Sequence, residues 1–175
     1  MPKVSFEDPL PLGMESMRER FFAVVAKDWD ESELAETLNV MLPEGLRISE
    51  CASIESRKKV EKDRFSFYMA ILRNGTFCRE KHSQFESCRE WIFVKTGKRG
   101  NTRDIDLKKV VDRIEIVGEN RVLLKIGAEP GNTVRPSDIL KHVFDMDEKA
   151  IKGARVIKLD GRKDADVQAT GDQRF

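Results

Sequence analysis

The chain has 175 residues, 39% of them apolar and 36% charged, which suits one domain or two small ones with a modest core beneath a heavily solvated surface. No apolar run approaches the roughly 20 residues of a membrane span, and the N-terminus lacks the charged-then-apolar pattern of a secretory signal, so the sequence predicts a soluble, cytoplasmic protein. The formal net charge of +1 conceals a split: residues 1–55 hold 5 bases against 12 acids, residues 56–109 hold 15 against 7, and the remainder holds 12 of each.

Lys3-Val4-Ser5-Phe6 reads as a strand with almost no lead-in. A strand needs neighbours, because each backbone N–H and C=O it buries must find a partner. Arg20 to Lys27 is an apolar run of strand length, expected to be buried on both faces. Asp30 then caps a helix, with Glu33 placed as in a capping box and Trp29 stapling onto Leu34. Leu34, Leu38, Met41 and Leu42 form its predicted stripe, and Pro43 and Gly45 end it. Leu46 to Ile54 alternates imperfectly and predicts a second strand. Ser56 to Arg64 is a charged connector.

Phe65 to Leu72 is the next predicted strand. Residues 73–83 read as polar and turn-like, with a short helix over Gln84 to Arg89. Trp91 to Lys95 predicts a strand ending in a basic, glycine-bearing loop that runs from Thr96 to Thr102. Ile105 to Val111 predicts a strand end or a single helical turn. Arg113–Val117 and Arg121–Ala128 flank Gly118-Glu119-Asn120, a hairpin signal. Pro136 opens a helix whose Ile139, Leu140, Val143 and Phe144 share a face. Ala154 to Leu159 is the last strand, and residues 160–175 read as a disordered tail.

These elements predict an α+β fold of two ferredoxin-like, split βαβ modules with mainly antiparallel sheet. The expected division is residues 1–55 for a partial first module and 56–159 for the connector and second module. The first module follows the same plan with its opening strand and helix missing.

Several segments resemble one bacterial family. Pro2-Lys3-Val4-Ser5-Phe6 followed by Pro9-Leu10-Pro11-Leu12-Gly13-Met14-Glu15-Ser16 looks like its signature. Leu42 to Arg47 resembles its helix-to-strand turn, Lys95 to Lys98 through Asp104 to Leu107 its basic loop, and Gly131 to Pro136 its second helix start. The family is called radical SAM-linked and its function is unknown. The resemblance covers roughly residues 2–159, in order. It implies association with a radical SAM enzyme and, because some members resemble fusions to ribonuclease E/G-type proteins, a link to RNA. It also implies a further strand and helix ahead of Pro2. Without them the sheet would keep an unpaired position, with the Phe21–Val25 run partly exposed or covered by a second copy in a homodimer. A start codon placed too far downstream is the other explanation. Residues 73–90 match no part of the family pattern.

No residue cluster names a reaction. Lys95, Lys98, Arg99 and Arg103 around the glycine-bearing loop, with Arg135, are candidate phosphate contacts. Arg57, Lys58, Lys59 and Lys62 extend the positive field or simply form a wet linker. Tyr68, Trp91 and Phe93 would offer stacking faces if they point outward. The plainer reading, which we favour, buries them as core. Lys3, Ser5, Gly13, Glu15 and Ser16 form a candidate ligand loop, stiffened by Pro9 and Pro11, in which Gly13 is suited to a positive φ; a structural role is favoured there too.

Cys51, Cys78 and Cys88 are odd in number and irregularly spaced, so they suggest reduced thiols. Cys78, His82 and Cys88 lack the tight C-x₂₋₄-C pair of a structural zinc site. We therefore expect no metal and no cofactor, and His142 reads as a cation placed near a helix C-terminus. The leading expectation is a non-catalytic module that binds RNA through the basic segment beside a radical SAM enzyme. The alternatives are an RNA-modifying enzyme using Glu15 or Asp106 as general acid or base, and a protein–protein scaffold.

Overall fold

The computed structural model describes residues 3–6, 10–17, 19–26, 28–54, 65–97, 100–127 and 133–160. They fall into two compact units, drawn from residues 1–7 and 20–62 and from residues 8–19 and 63–175. The connector residues 55–64, the loop residues Lys98 and Arg99, Gly131 and Asn132, and the predicted tail beyond Asp160 lie outside the described residues.

In the first unit β1 (Val4–Phe6) pairs antiparallel with β3 (Phe21–Ala23), setting Val4 opposite Ala23 and Phe6 opposite Phe21. The ladder continues one step, where the Val24 amide donates to the Lys3 carbonyl at 3.1 Å. Helix α1 (Glu31–Met41) starts as expected, with the Asp30 carboxylate accepting from the Ser32 and Glu33 amides. It stops at Leu42 before Pro43, and the chain reverses through Gly45 at φ +89°.

Two expectations fail in this unit. Residues 46–54 are not a strand among the described residues. They run back along α1, held where Asn39 both donates to the Ile48 carbonyl and accepts from its amide, and where Glu31 accepts from the Ser53 amide at 2.6 Å. Those side-chain bonds satisfy the backbone that a ladder would otherwise serve. The Phe21–Val25 run is not buried on both faces either: Phe21, Val24 and Val25 are all exposed. Met41 likewise leaves the helix stripe for solvent, while Leu34, Leu38 and Leu42 are half-buried.

The second unit holds a five-stranded sheet. Its central strands are β4 (Phe65–Ile71) and β8 (Arg121–Gly127), antiparallel from Phe65 opposite Gly127 to Ile71 opposite Arg121. On one side β8 pairs antiparallel with β7 (Val111–Ile116). On the other side β4 pairs antiparallel with β9 (Arg155–Leu159), and β2 (Glu15–Ser16) adds a short parallel edge to β9. The strand order is β2-β9-β4-β8-β7. Helix α2 (Arg79–Ser87) lies between the first and second long strands in sequence. Helices α4 (Pro136–His142) and α5 (Glu148–Gly153) lie between the third and fourth. The fold is α+β, and residues 65–159 follow the split βαβ order.

Alternation along the strands separates two apolar layers. Ala70, Val122, Leu124, Ile126 and Val156 join Ile139, Leu140 and Val143 in the main core. Phe67, Met69, Ile71, Leu123, Ile157 and Leu159 form a second cluster, built from the sheet alone among the described residues. Phe85 is the one buried residue of α2, and Phe77 meets Phe144 edge-on at 4.9 Å. A register shift in β7 around Asp112 lets its carboxylate reach Lys125 at 2.8 Å.

The predicted helix at 84–89 begins earlier, at Arg79, and α5 was not expected. The Cys78 side chain makes no capping bond, and a single buried aromatic leaves no periodic stripe to read. In α5 the signal is Asp147, whose side chain accepts from the Ala150 amide. Leu124 is fully buried on a central strand. Leu124→Ala should therefore lower unfolding free energy by roughly 2–5 kcal/mol in urea titrations, against little change for Val94→Ala on an exposed strand position.

Candidate nucleic-acid interface

The basic loop is carried by a separate two-stranded ribbon, β5 (Ile92–Thr96) with β6 (Thr102–Asp106). Cross-strand pairs set Phe93 opposite Ile105 and Lys95 opposite Arg103. Phe93 and Ile105 are buried and anchor the ribbon's base. Two residues further out, the same face carries Lys95 and Arg103. The loop closes through a turn in which the Gly100 amide donates to the Gly97 carbonyl at 3.0 Å, with Gly100 at φ +80°. Lys98 and Arg99 fall between those glycines in sequence, outside the described residues.

Lys95 is held rather than free. Its ammonium lies 2.8 Å from Asp138 Oδ2 and donates to the Thr133 carbonyl at 2.6 Å. Asp138 also accepts from the Arg135 amide at 3.0 Å. The pair is only about a quarter exposed on each side (24% and 21%), so it braces the ribbon against the start of α4. Three of the expected residues, Lys95, Arg103 and Arg135, are thereby gathered around this brace, with the exposed Arg135 side chain beside it.

Three lysines of the segment are engaged locally. Lys108 lies 4.5 Å over the Phe85 ring and donates to the Phe85 carbonyl at 3.2 Å; Lys81 approaches Asp145 at 3.6 Å and Lys109 approaches Asp106 at 3.8 Å.

The aromatic residues do not form a stacking platform. The Phe93 ring stacks on His142 at 4.4 Å, and Trp91 donates its indole N–H to the His142 carbonyl at 2.9 Å while meeting Phe85 edge-on. Tyr68 packs against the main core. The plainer reading of these three side chains is correct, because each sits on the inward-facing parity of its strand or braces the ribbon's base.

The expected ligand loop divides between the units. Lys3 and Ser5 belong to the first unit; Gly13, Glu15 and Ser16 belong to the second. Gly13, at φ +86°, shapes a turn closed by the Met14 amide donating to the Pro11 carbonyl. Glu15 is gripped by Arg155 in a bidentate pair at 2.7 and 2.8 Å, and that guanidinium holds its carboxyl below the usual range. A carboxylate so paired stays ionised near neutrality and is poorly suited to act as a general acid. Ser16 donates to Glu19, which also meets Lys158 at 3.2 Å. Asp106 accepts from the Trp91 and Lys108 amides and caps the helical turn α3 (Leu107–Val110).

The histidines are likewise engaged. His82 Nε2 lies 3.0 Å from the Ile114 carbonyl. Cys78 and Cys88 sit at opposite ends of α2, about 15 Å apart at 1.5 Å per residue, too far to share an ion. Among the described residues no three His, Cys, Asp or Glu side chains gather to hold a metal, and no helix is long and apolar enough to cross a membrane.

A mixed α+β chain with a two-stranded ribbon braced to the start of α4 is the class these features define. The chain belongs to the family described as an uncharacterized protein conserved in bacteria (DUF2344), whose model matches residues 1–136. No curated protein and no solved structure matches it.

His142 offers a test of the ribbon's base. Burial lowers its pKa from the ordinary 6.5, Lys141 lowers it further, and Asp138 opposes both. A depressed folded-state pKa means that the unfolded chain takes up the proton first. The stability contribution is present above about pH 6.5 and is lost as pH falls through the folded value. Thermal denaturation between pH 7.5 and 5.5 should show a falling midpoint, and His142→Gln should flatten that slope.

Proposed function

We propose that this protein is a non-catalytic accessory module that contacts RNA through the β5–β6 ribbon and works beside a radical SAM enzyme. The observation that carries the RNA reading is the ribbon's construction. The Phe93–Ile105 pair anchors it and the Lys95–Asp138 pair braces it; Arg103 lies opposite Lys95, Arg135 stands at the start of α4, and Lys98 and Arg99 fall between Gly97 and Gly100 in sequence. Rigid placement of cations lowers the ordering cost of meeting phosphates, and the released counterions supply the binding free energy. The radical SAM partner rests on the family resemblance of the signature segments. The non-catalytic reading is favoured over the enzyme alternative because Glu15 is paired with Arg155 and Asp106 accepts from backbone amides.

Fluorescence anisotropy with labelled tRNA and a single-stranded oligouridylate tests the RNA reading. Affinity should fall steeply with salt, at a log–log slope of roughly 0.7 per phosphate contacted on single strands. Lys98→Glu with Arg99→Glu should weaken binding at least tenfold at low salt, and Arg103→Ala should reduce the salt slope by about one contact. A flat titration at low salt with both RNAs would end this reading. Co-purification with a radical SAM protein without any RNA affinity would select the scaffold alternative instead.

A further inference from the structure

The first unit has no buried residue among those described. An 11-residue helix and a ribbon of three-residue strands are each marginal alone. Apolar side chains stay exposed on the β1–β3 ribbon, at Val4, Phe6, Phe21, Val24 and Val25, and on α1, where the two most exposed of them sit at its C-terminal end beside carboxylates. Glu33, Glu36, Thr37 and Val40, spaced i, i+3, i+4 and i+7, lie on its outward face, with Met41 at its border. Val40 is 87% exposed and Met41 79%, values at which a helix ordinarily carries charge. Leu46, 62% exposed, follows through the turn in which its amide donates to the Pro43 carbonyl.

The charge on this surface selects the occupant. Asp28 to Glu36 holds five carboxylates in nine residues and no base. Asp30 and Glu31 are engaged within the unit by the Ser32 and Glu33 amides and by the Ser53 amide. Glu33 and Glu36 are exposed on the same helix face as Val40, and Glu44 is exposed in the turn beyond. A polyanion or an anionic membrane surface would be repelled. A second copy meeting the same patch across a two-fold axis would set carboxylate against carboxylate.

We infer that the outward face of α1, from Glu33 to Met41 with Leu46, docks a protein partner that presents apolar side chains among lysines and arginines. Apolar contact at Val40, Met41 and Leu46 supplies the burial the unit lacks, and the carboxylates steer and select a basic partner. This surface lies in the first unit and is independent of the RNA reading, whose ribbon is in the second.

The test uses the full chain with two synthetic amphipathic helical peptides of one pattern, one of leucine and lysine and one of leucine and glutamate. Anisotropy should show the lysine peptide binding at least tenfold more tightly, with hydrogen-exchange protection gained over residues 31–41. Val40→Ser with Met41→Ser should cost at least tenfold; both side chains are so exposed that folding should not suffer. Glu33→Gln with Glu36→Gln should weaken binding and reduce its salt dependence. Equal affinity for the two peptides, or binding indifferent to the Val40 and Met41 changes, would overturn the proposal. So would protection of α1 by oligouridylate, or self-association in sedimentation that Val40→Ser with Met41→Ser abolishes.

Discussion

The seven-residue antiparallel ladder between β4 and β8 fixes the position of everything else in the second unit. It places Ala70, Val122, Leu124 and Ile126 on one face, where Ile139, Leu140 and Val143 of the α4 segment close over them. A shift of one residue would turn that whole set to the opposite side. The register is also locked at its end: the Leu72 amide donates to the Asn120 carbonyl, and the Asn120 side chain returns a bond to the Leu72 carbonyl. The turn between β7 and β8 is thereby tied to β4, so the strands flanking the central pair inherit its register.

From that frame the β5–β6 ribbon is held in two different ways. Its base is apolar, with Phe93 and Ile105 buried and His142 stacked on the Phe93 ring. Its middle is ionic, through Lys95 and Asp138. A partly buried ion pair of this kind is weak evidence for stability, since desolvation offsets much of the attraction. Its consequence is positional: it engages the charge of Lys95 and ties the ribbon to the start of α4.

The two units differ in how they satisfy their own surfaces. The second buries aliphatic and aromatic side chains from nearly every element it contains. The first relies on polar ties, with Asn39 bonded to Ile48 and Glu31 to Ser53, while Phe6 and Phe21, 6.1 Å apart, remain open to solvent. Polar ties set geometry well but contribute only about 1 kcal/mol each.

Local chemistry in the sequence determined the cap at Asp30, the helix start at Pro136, the turn at Gly118 and the alternation that makes β4 and β8 strands, because each depends on residues within one or two turns of chain. The buried face of α4 was legible for the same reason: Ile139, Leu140, Val143 and Phe144 repeat at helical spacing. Tertiary structure alone decided the pairing of Glu15 with Arg155, the engagement of Lys95 by Asp138, and the fate of residues 46–54, whose alternation suggests a strand. Those outcomes depend on groups far apart in sequence, where Coulomb attraction and hydrogen bonding act only after the chain has brought the partners together. A strand pattern likewise becomes a strand only where a neighbouring edge is present to accept its backbone.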